Sequence, residues 1–595
     1  MEVLDITRCQ AVSKRFLALA RDDSIWKLQC FENSRAEALR RRQRLLDVQN
    51  SPLEELRNAI SSLPGVEQTT SAGIDGDCSQ PDTSDAERRQ RARALANWEP
   101  EYPGESIDYY EEYIQRHADI NVDWIDLPNQ NGSDQREIRE ATGVGVLSDH
   151  GSGERKMISP LDDGSICIWD VTSRSTSSPG GYGTLLGQSK SGLLTSGATS
   201  DLSHTIMTEI GAVECVSIDH HSQKGHFAVR DVLQEVDLRT LQVTSTKKYP
   251  FPITTLSTCH PGTPLVVGTN NTIHLHDARE LTTSHDSNTN GSVELIGGST
   301  SSHATLSQPG PLSILNHVES SSIWAAGRFT SLLHYDLRRF PRLLGTIHSG
   351  ARIASLTTLP HPLVPRSLDL VRNPQASIAA HHAARSNTGT TLVAAAEYKG
   401  KGSLELHDPS GKESYQNRQT ASASKLLSVA AHGGRLVFSD GDGNLRWMER
   451  NGSTLVRQYN INSDRRPSDQ PNSDATSGGI FSSSASEMPG QGDIVQKILP
   501  LRAIEGQYPS DRPDVPNESL LLWSGDGRLG CLSFGTQNPL RPEEDWHDAL
   551  EAQSVSAEQR AKEDAERQYA MTMRRALERN ADEVRFVRGL GMASF

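Results

Sequence analysis

Seven times between residues 142 and 536 the sequence writes one pattern: a short apolar strand, a tight turn, and a second strand, which in five copies ends on Asp. The copies are Met157–Asp170, His226–Asp237, Leu265–Asp277, Ile323–Asp336, Leu392–Glu397 with Ser403–Asp408, Arg435–Trp447 and Leu521–Phe534. Asp163-Gly164, Asn270-Asn271, Asp442-Gly443 and Asp526-Gly527 supply turns, because these residue types tolerate the positive φ that tight hairpins need. A third apolar strand precedes most copies, at Glu214–Ile218, Ile253–Leu256, Leu312–Leu315, Ile353–Leu356 and Leu426–Val429. Where the spacing is shortest, from Asp237 to Asp277 and from Asp408 to Met448, successive copies end about 40 residues apart, the period of four-stranded repeat units. Ser-, Thr-, Gly- and Asn-rich stretches near 172–205, 281–310 and 461–495 lengthen the other spacings and read as insertions at the edges of units.

One such unit is a half-buried sheet that cannot hide its inner face alone. Stacking units around an axis hides it and leaves only short edges. The expected fold is therefore mainly β, a seven-bladed β-propeller over 142–536. A sandwich would lack the repeated strand–turn–strand–Asp ending. Ile166-Cys-Ile-Trp-Asp170 resembles the WD-repeat family, with His-Asp or Tyr-Asp replacing Trp-Asp in other copies and one Gly-His pair at Gly225-His226. Asp170, Asp277, Asp336 and Asp408 close strands at matching positions. Repetition of one residue at one place in a repeat points to a structural hydrogen bond rather than to catalysis.

The remaining chain is polar. Hydrophobic residues make up 35% and aromatic residues 5% of the 595, against about 45–50% apolar in ordinary globular domains. Net charge is -15, which disfavours sequence-independent binding to DNA or RNA. Seven cysteines without a C-x-x-C pair argue for reduced thiols and against a zinc module. No apolar run reaches the roughly 18 residues of a membrane span. The expected location is cytoplasmic and/or nuclear.

At the N-terminus, Cys9, Val12, Phe16, Leu19 and Ala20 recur at helical intervals, and Asp22-Asp23-Ser24 offers cap oxygens to a helix beginning near Ile25. Trp26, Leu28, Cys30 and Phe31 add bulk. Read in order, Asp5-Ile6, Cys9, Val12-Ser-Lys-Arg-Phe16, Leu19-Ala20, Asp22-Asp23 and Ile25-Trp26 resemble the second half of an F-box. That family's first helix, with its Leu-Pro start, would precede Leu4, so the resemblance implies a motif either clipped at its start or degenerate. It further implies that Leu4, Ile6, Cys9, Val12, Phe16, Leu19, Ile25 and Trp26 dock on the Skp-type adaptor of a cullin-RING ubiquitin ligase.

Beyond residues 1–33, assigned to these partial F-box-like helices, linker helices are expected over 34–62. Ser34–Glu37 and Ser51–Glu54 serve there as capping boxes, with Leu39 and Leu46 one heptad apart. A flexible linker follows over 63–97, then a helical strut over 98–141 with its helix at Ser106–His117. After the propeller, 537–595 is a charged extension whose capping box, Ser556–Gln559, opens a helix running to about Asn580.

Catalytic patterns are missing from the sequence. Gly400-Lys401 continues into Gly402 without the glycine spacing of a phosphate-cradling loop, and neither G-x-S-x-G nor H-E-x-x-H occurs. The neighbouring imidazoles of His220-His221 or His381-His382 would point to opposite faces of a strand and share no metal. Arg230, Arg328 and Arg446 read as solvated or internally paired. The reading is a non-enzymatic adaptor without metal or cofactor. The F-box resemblance makes it the substrate receptor of an SCF-type ubiquitin ligase, whose propeller holds an unknown protein substrate. The alternative is a WD-repeat interaction scaffold unconnected to ubiquitin.

Overall fold

The computed structural model describes residues 3–35, 37–38, 40–41, 83–128, 139–148, 155–171, 183–194, 215–276, 303–308, 310–317, 320–370, 373, 375–463, 493–501 and 519–535. The expected helix at 556–580, the Ser51 capping box and the heptad pair Leu39/Leu46 lie outside them.

The described strands form seven separate four-stranded antiparallel sheets. The first blade contains Gly145–Ser148, Arg155–Pro160, Ile166–Asp170 and Thr184–Gln188 (β2 to β5). The second contains Val216–Asp219, Lys224–Val229, Val232–Asp237 and Gln242–Lys248 (β6 to β9), and the third Ile253–Leu256, Leu265–Thr269, Thr272–His276 and His303–Thr305 (β10 to β13). The fourth has Pro311–His317, Ser322–Gly327, Ser331–Asp336 and Leu343–His348 (β14 to β17), and the fifth Arg352–Leu359, Thr391–Tyr398, Lys401–His407 and Ser414–Ser422 (β18 to β21). Leu426–His432, Arg435–Asp440, Asn444–Glu449 and Leu455–Asn460 (β22 to β25) make the sixth. Val495–Pro500, Leu520–Ser524 and Leu529–Phe534 (β26 to β28) start the seventh, and its outer strand is Ile120–Trp124 (β1), from far upstream.

All seven strand–turn–strand copies read from the sequence are the middle strands of these blades, and the chain is a seven-bladed propeller. The turn reading has a local cause. Asp440 accepts hydrogen bonds from the backbone N–H groups of Asp442 and Asn444, each at 3.0 Å, and from the Ser422 hydroxyl at 2.7 Å. Gly443 then takes φ +76, and a Cβ there would stand 2.4 Å from the Asp493 carbonyl oxygen, so turn and close approach both require glycine.

Hydrophobic clusters sit at the junctions between blades. Trp324 and Leu332 of blade four pack with Ile353 and Leu392 of blade five. Val393 and Leu404 pack with Val429 and Phe438 of blade six, and Val437 and Trp447 with Ile498 and Leu522 of blade seven. The ring closes where Leu521, Trp523 and Cys531 meet Met157, Cys167 and Trp169 of blade one. There the Trp523 indole N–H also donates to the Ala141 carbonyl at 2.9 Å.

β1 pairs with β28 in unbroken register, from Ile120 opposite Phe534 to Trp124 opposite Gly530. The segment read as a helical strut therefore supplies the strand that completes the last blade, and the ring reaches upstream of residue 142. The outer strands escaped the sequence reading because they face water on one side. Gln242–Lys248 alternates between exposed and half-buried positions and carries one apolar side chain, Val243. Thr184–Gln188 and His303–Thr305 fall inside stretches expected to be insertions.

Candidate protein-interaction site

The N-terminal segment folds into three short helices, Val3–Gln10 (α1), Lys14–Ala20 (α2) and Asp23–Glu32 (α3), rather than two. The expected continuous helix breaks at Ala11–Ser13. Ala11 and Val12 donate to the carbonyls of Arg8 and Cys9, closing α1 with a tight turn, and Ser13 Oγ accepts from Phe16 N at 3.2 Å to cap α2. Asp22 caps α3 by accepting from Ser24 N at 2.8 Å, as the acidic turn implied.

Two further helices complete this module: Thr83–Trp98 (α4), which is helix where a flexible linker is expected because Ala94, Leu95 and Trp98 pack into the module's core, and Tyr109–His117 (α5), capped by Asp108. Trp26 fixes the packing. Its ring meets Tyr110 edge-on at 4.9 Å and Tyr113 at 5.0 Å, and its indole N–H donates to the Ala20 carbonyl at 2.6 Å. Phe31 packs on Trp98, and Ile6, Ala20, Cys30, Ile107 and Tyr109 fill the same cluster. Burial pushes the Cys30 thiol up to about 12, so it stays a neutral core group.

The break between α1 and α2 splits the eight residues expected to dock together. Ile6 and Trp26 are each 1% exposed and belong to the module's own core; a partner cannot touch them in this arrangement. Cys9 and Ile25 are half-buried against that core. Val12, Phe16 and Leu19 stand out in solvent, 68%, 48% and 55% exposed. Phe16 and Leu19 are three residues apart on α2 and share one face. Exposed Arg8, Lys14, Arg15 and Arg21 surround them in sequence. Leu4 lies on α1, and its side chain is outside the described residues.

A buried ionic network seats the module on blade six. The Arg116 guanidinium grips Glu449 with two bonds, 2.7 and 3.0 Å, and donates from Nε to Glu112 at 2.7 Å. Arg435 Nε lies 3.0 Å from the same Glu112 oxygen, and its Nη2 donates to Gln115. The Trp98 indole N–H donates to Glu449 at 3.1 Å. Glu112 and Arg435 have no exposed side-chain surface. Burial alone would raise the Glu112 pKa, but the guanidiniums of Arg435 and Arg116 outweigh it and hold the carboxyl below its usual range. Arg450 adds a second tie, to Glu105 at 2.6 Å and to the Gly433 carbonyl at 3.1 Å. Sequence reasoning missed this network: the pairs that join the module to the propeller lie more than 300 positions apart, and no local pattern marks them.

Of the three arginines singled out in sequence, Arg446 is internally paired. It donates to the Ala421 carbonyl at 2.7 Å and lies 3.6 Å from Asp440. Among the described residues no helix is long and apolar enough to cross a membrane.

No protein-family model matches the chain, and no curated protein matches it. Among solved structures, the chain is similar to the WD40 β-propeller domain of Doa1, with 10% sequence identity, a TM-score of 0.38, and coverage of 69% of this chain and 96% of that one. In fold the protein is a seven-bladed β-propeller, on the strength of its seven four-stranded sheets, with a helical module docked on blade six.

Proposed function

We propose that the chain is a non-enzymatic protein-interaction adaptor, and specifically the substrate receptor of an SCF-type ubiquitin ligase. The observation that carries the finer reading is the solvent-facing set Val12, Phe16 and Leu19, three apolar side chains within the F-box-like segment that the module leaves uncovered. Their basic neighbours suit a partner whose apolar groove has an acidic rim. The adaptor would grip α2, while Ile6 and Trp26 hold the helices in shape from within. The propeller would hold the substrate. Ubiquitin transfer would belong to other subunits, with this chain raising the local concentration of substrate lysines at the charged carrier. The ionic seat on blade six supports such a role, since proximity helps only if docking site and propeller keep a fixed geometry.

The test is binding of the purified full chain to a Skp-type adaptor. The wild-type chain should bind. Phe16→Asp with Leu19→Asp should weaken binding at least about thirtyfold, as expected for the loss of two apolar anchors, with the thermal midpoint unchanged because both residues are exposed. No binding by wild type, or equal binding by the variant, would defeat the ligase reading. Burial of Ile6 and Trp26 favours a second reading, a propeller scaffold unrelated to ubiquitin whose N-terminal helices chiefly brace its own structure.

A further inference from the structure

Blades two and three bring three buried ligand-type side chains to one point. His226 lies on β7 and Glu235 stands opposite it on β8 in the strand register; His276 ends β12 of the next blade. One ligand atom from each lies within 4.8 Å of the other two, and the residues are 6%, 3% and 5% exposed. We propose that this trio is a structural site for a divalent transition-metal ion of the zinc class, fastening blade two to blade three.

Two imidazoles and a carboxylate are a donor set that Zn²⁺ takes at about 2.0–2.2 Å. Each side chain is also held by an outer contact, as metal ligands are. The Tyr249 hydroxyl is 3.2 Å from His276 Nδ1, and Cys259 Sγ is 3.5 Å from His226 Nδ1. With Nδ1 of each ring donating to these partners, Nε2 would be the nitrogen left for the ion. Glu235 Oε2 accepts from the Ser245 hydroxyl at 3.1 Å. The other Glu235 oxygen pairs with the Lys224 ammonium, the competing cation. The Lys224 side chain is 38% exposed, so its ammonium can turn out to water when an ion takes the carboxylate. The fourth metal position falls to water. Such an ion would offset the cost of burying a carboxylate between two sheets, and it would add to a junction held by side-chain packing and by hydrogen bonds such as that from Ser217 Oγ to the Ser257 carbonyl at 2.7 Å.

The sequence hides this trio. His226 and Glu235 are nine positions apart on paired strands, and His276 is forty-one positions further on, so no ligand spacing of a zinc module occurs.

The experiment uses the full chain, stripped with EDTA and titrated with Zn²⁺ by calorimetry and with Co²⁺ by visible absorption. The expected result has two parts: one equivalent bound at this site, with a raised thermal midpoint, and a loss of affinity of at least about tenfold in both His276→Gln and Glu235→Gln. Lys224→Met removes the competing ammonium and should tighten binding several-fold, the reverse of what a purely hydrogen-bonded cluster would show. The chain carries 20 histidines, so stray sites are recognised by their persistence in the Gln variants. Zn²⁺ without effect on the wild-type midpoint, or equal affinity in wild type and His276→Gln, would overturn the proposal. If a Gln variant folds poorly, Lys224→Met decides, and an unchanged affinity there overturns it as well.

Discussion

His361 shows how one buried side chain ties stability to pH. Its ring stacks on Tyr102 at 3.9 Å in the interface between module and propeller. Burial, then the neighbouring Arg450 guanidinium, pushes the imidazole down to about 3. Glu105 Oε1 is only 3.3 Å from its Nε2, but that carboxylate is already engaged by Arg450, so the neutral ring prevails. The unfolded chain takes up this proton near pH 6.5, whereas the folded chain resists it down to about 3. The contribution is therefore complete above pH 6.5 and is lost progressively as pH falls toward 3. His361→Phe keeps a stacking ring that cannot charge. Its thermal midpoint should fall less than that of wild type between pH 7 and pH 5, as followed by circular dichroism. No local pattern in the sequence marks this residue, because its environment is assembled from Tyr102, Arg385 and Arg450, three distant parts of the chain.

At the scale of elements, β1 is the piece on which ring closure turns. Ile120 and Val122 point inward and join the cluster at the junction of blades six and seven, while Asn121 faces water. Ile120→Asp with Val122→Asp should cost about 2–4 kcal/mol and expose the β28 edge to pairing with other chains. Asn121→Ser should stay within about 0.5 kcal/mol of wild type. Chemical denaturation measures both, and amide exchange across 529–534 reports whether β28 has lost its partner. The middle strands of the blades were legible in sequence because they are buried on both faces and read as apolar runs bounded by turn residues. β1 and the other outer strands were not, since a half-solvated strand needs few apolar residues and takes its register from its neighbour. The α1–α2 break was also missed, as Ser13 looks like one more polar position until its hydroxyl is seen capping α2.

At the scale of the whole molecule, module and propeller are one body because two guanidiniums and two carboxylates balance at their interface. Arg435→Met leaves that buried set with an unpaired negative charge and should destabilise the chain by about 3 kcal/mol. Adding Glu112→Leu to Arg435→Met restores charge balance with apolar groups and should recover part of the loss. Urea unfolding checks both variants. If Arg435→Met proves neutral, the helical module is seated by its aromatic packing and by the Arg116–Glu449 and Arg450–Glu105 pairs, not by Arg435.

By itself the sequence determined the class of fold: seven recurrences of a local strand–turn–strand signal, each written by neighbouring residues through burial periodicity and turn chemistry, suffice for a seven-bladed ring. It also marked the N-terminal helices and their apolar stripe. Only the tertiary structure decided which part of that stripe faces water, because burial depends on Trp98, Ile107 and Tyr109 arriving from elsewhere. The same holds for the strand that closes the ring, the ions that seat the module, and the ligand trio between blades two and three. Each joins residues distant in the chain, and a contact of that kind leaves no periodic trace in the order of the amino acids.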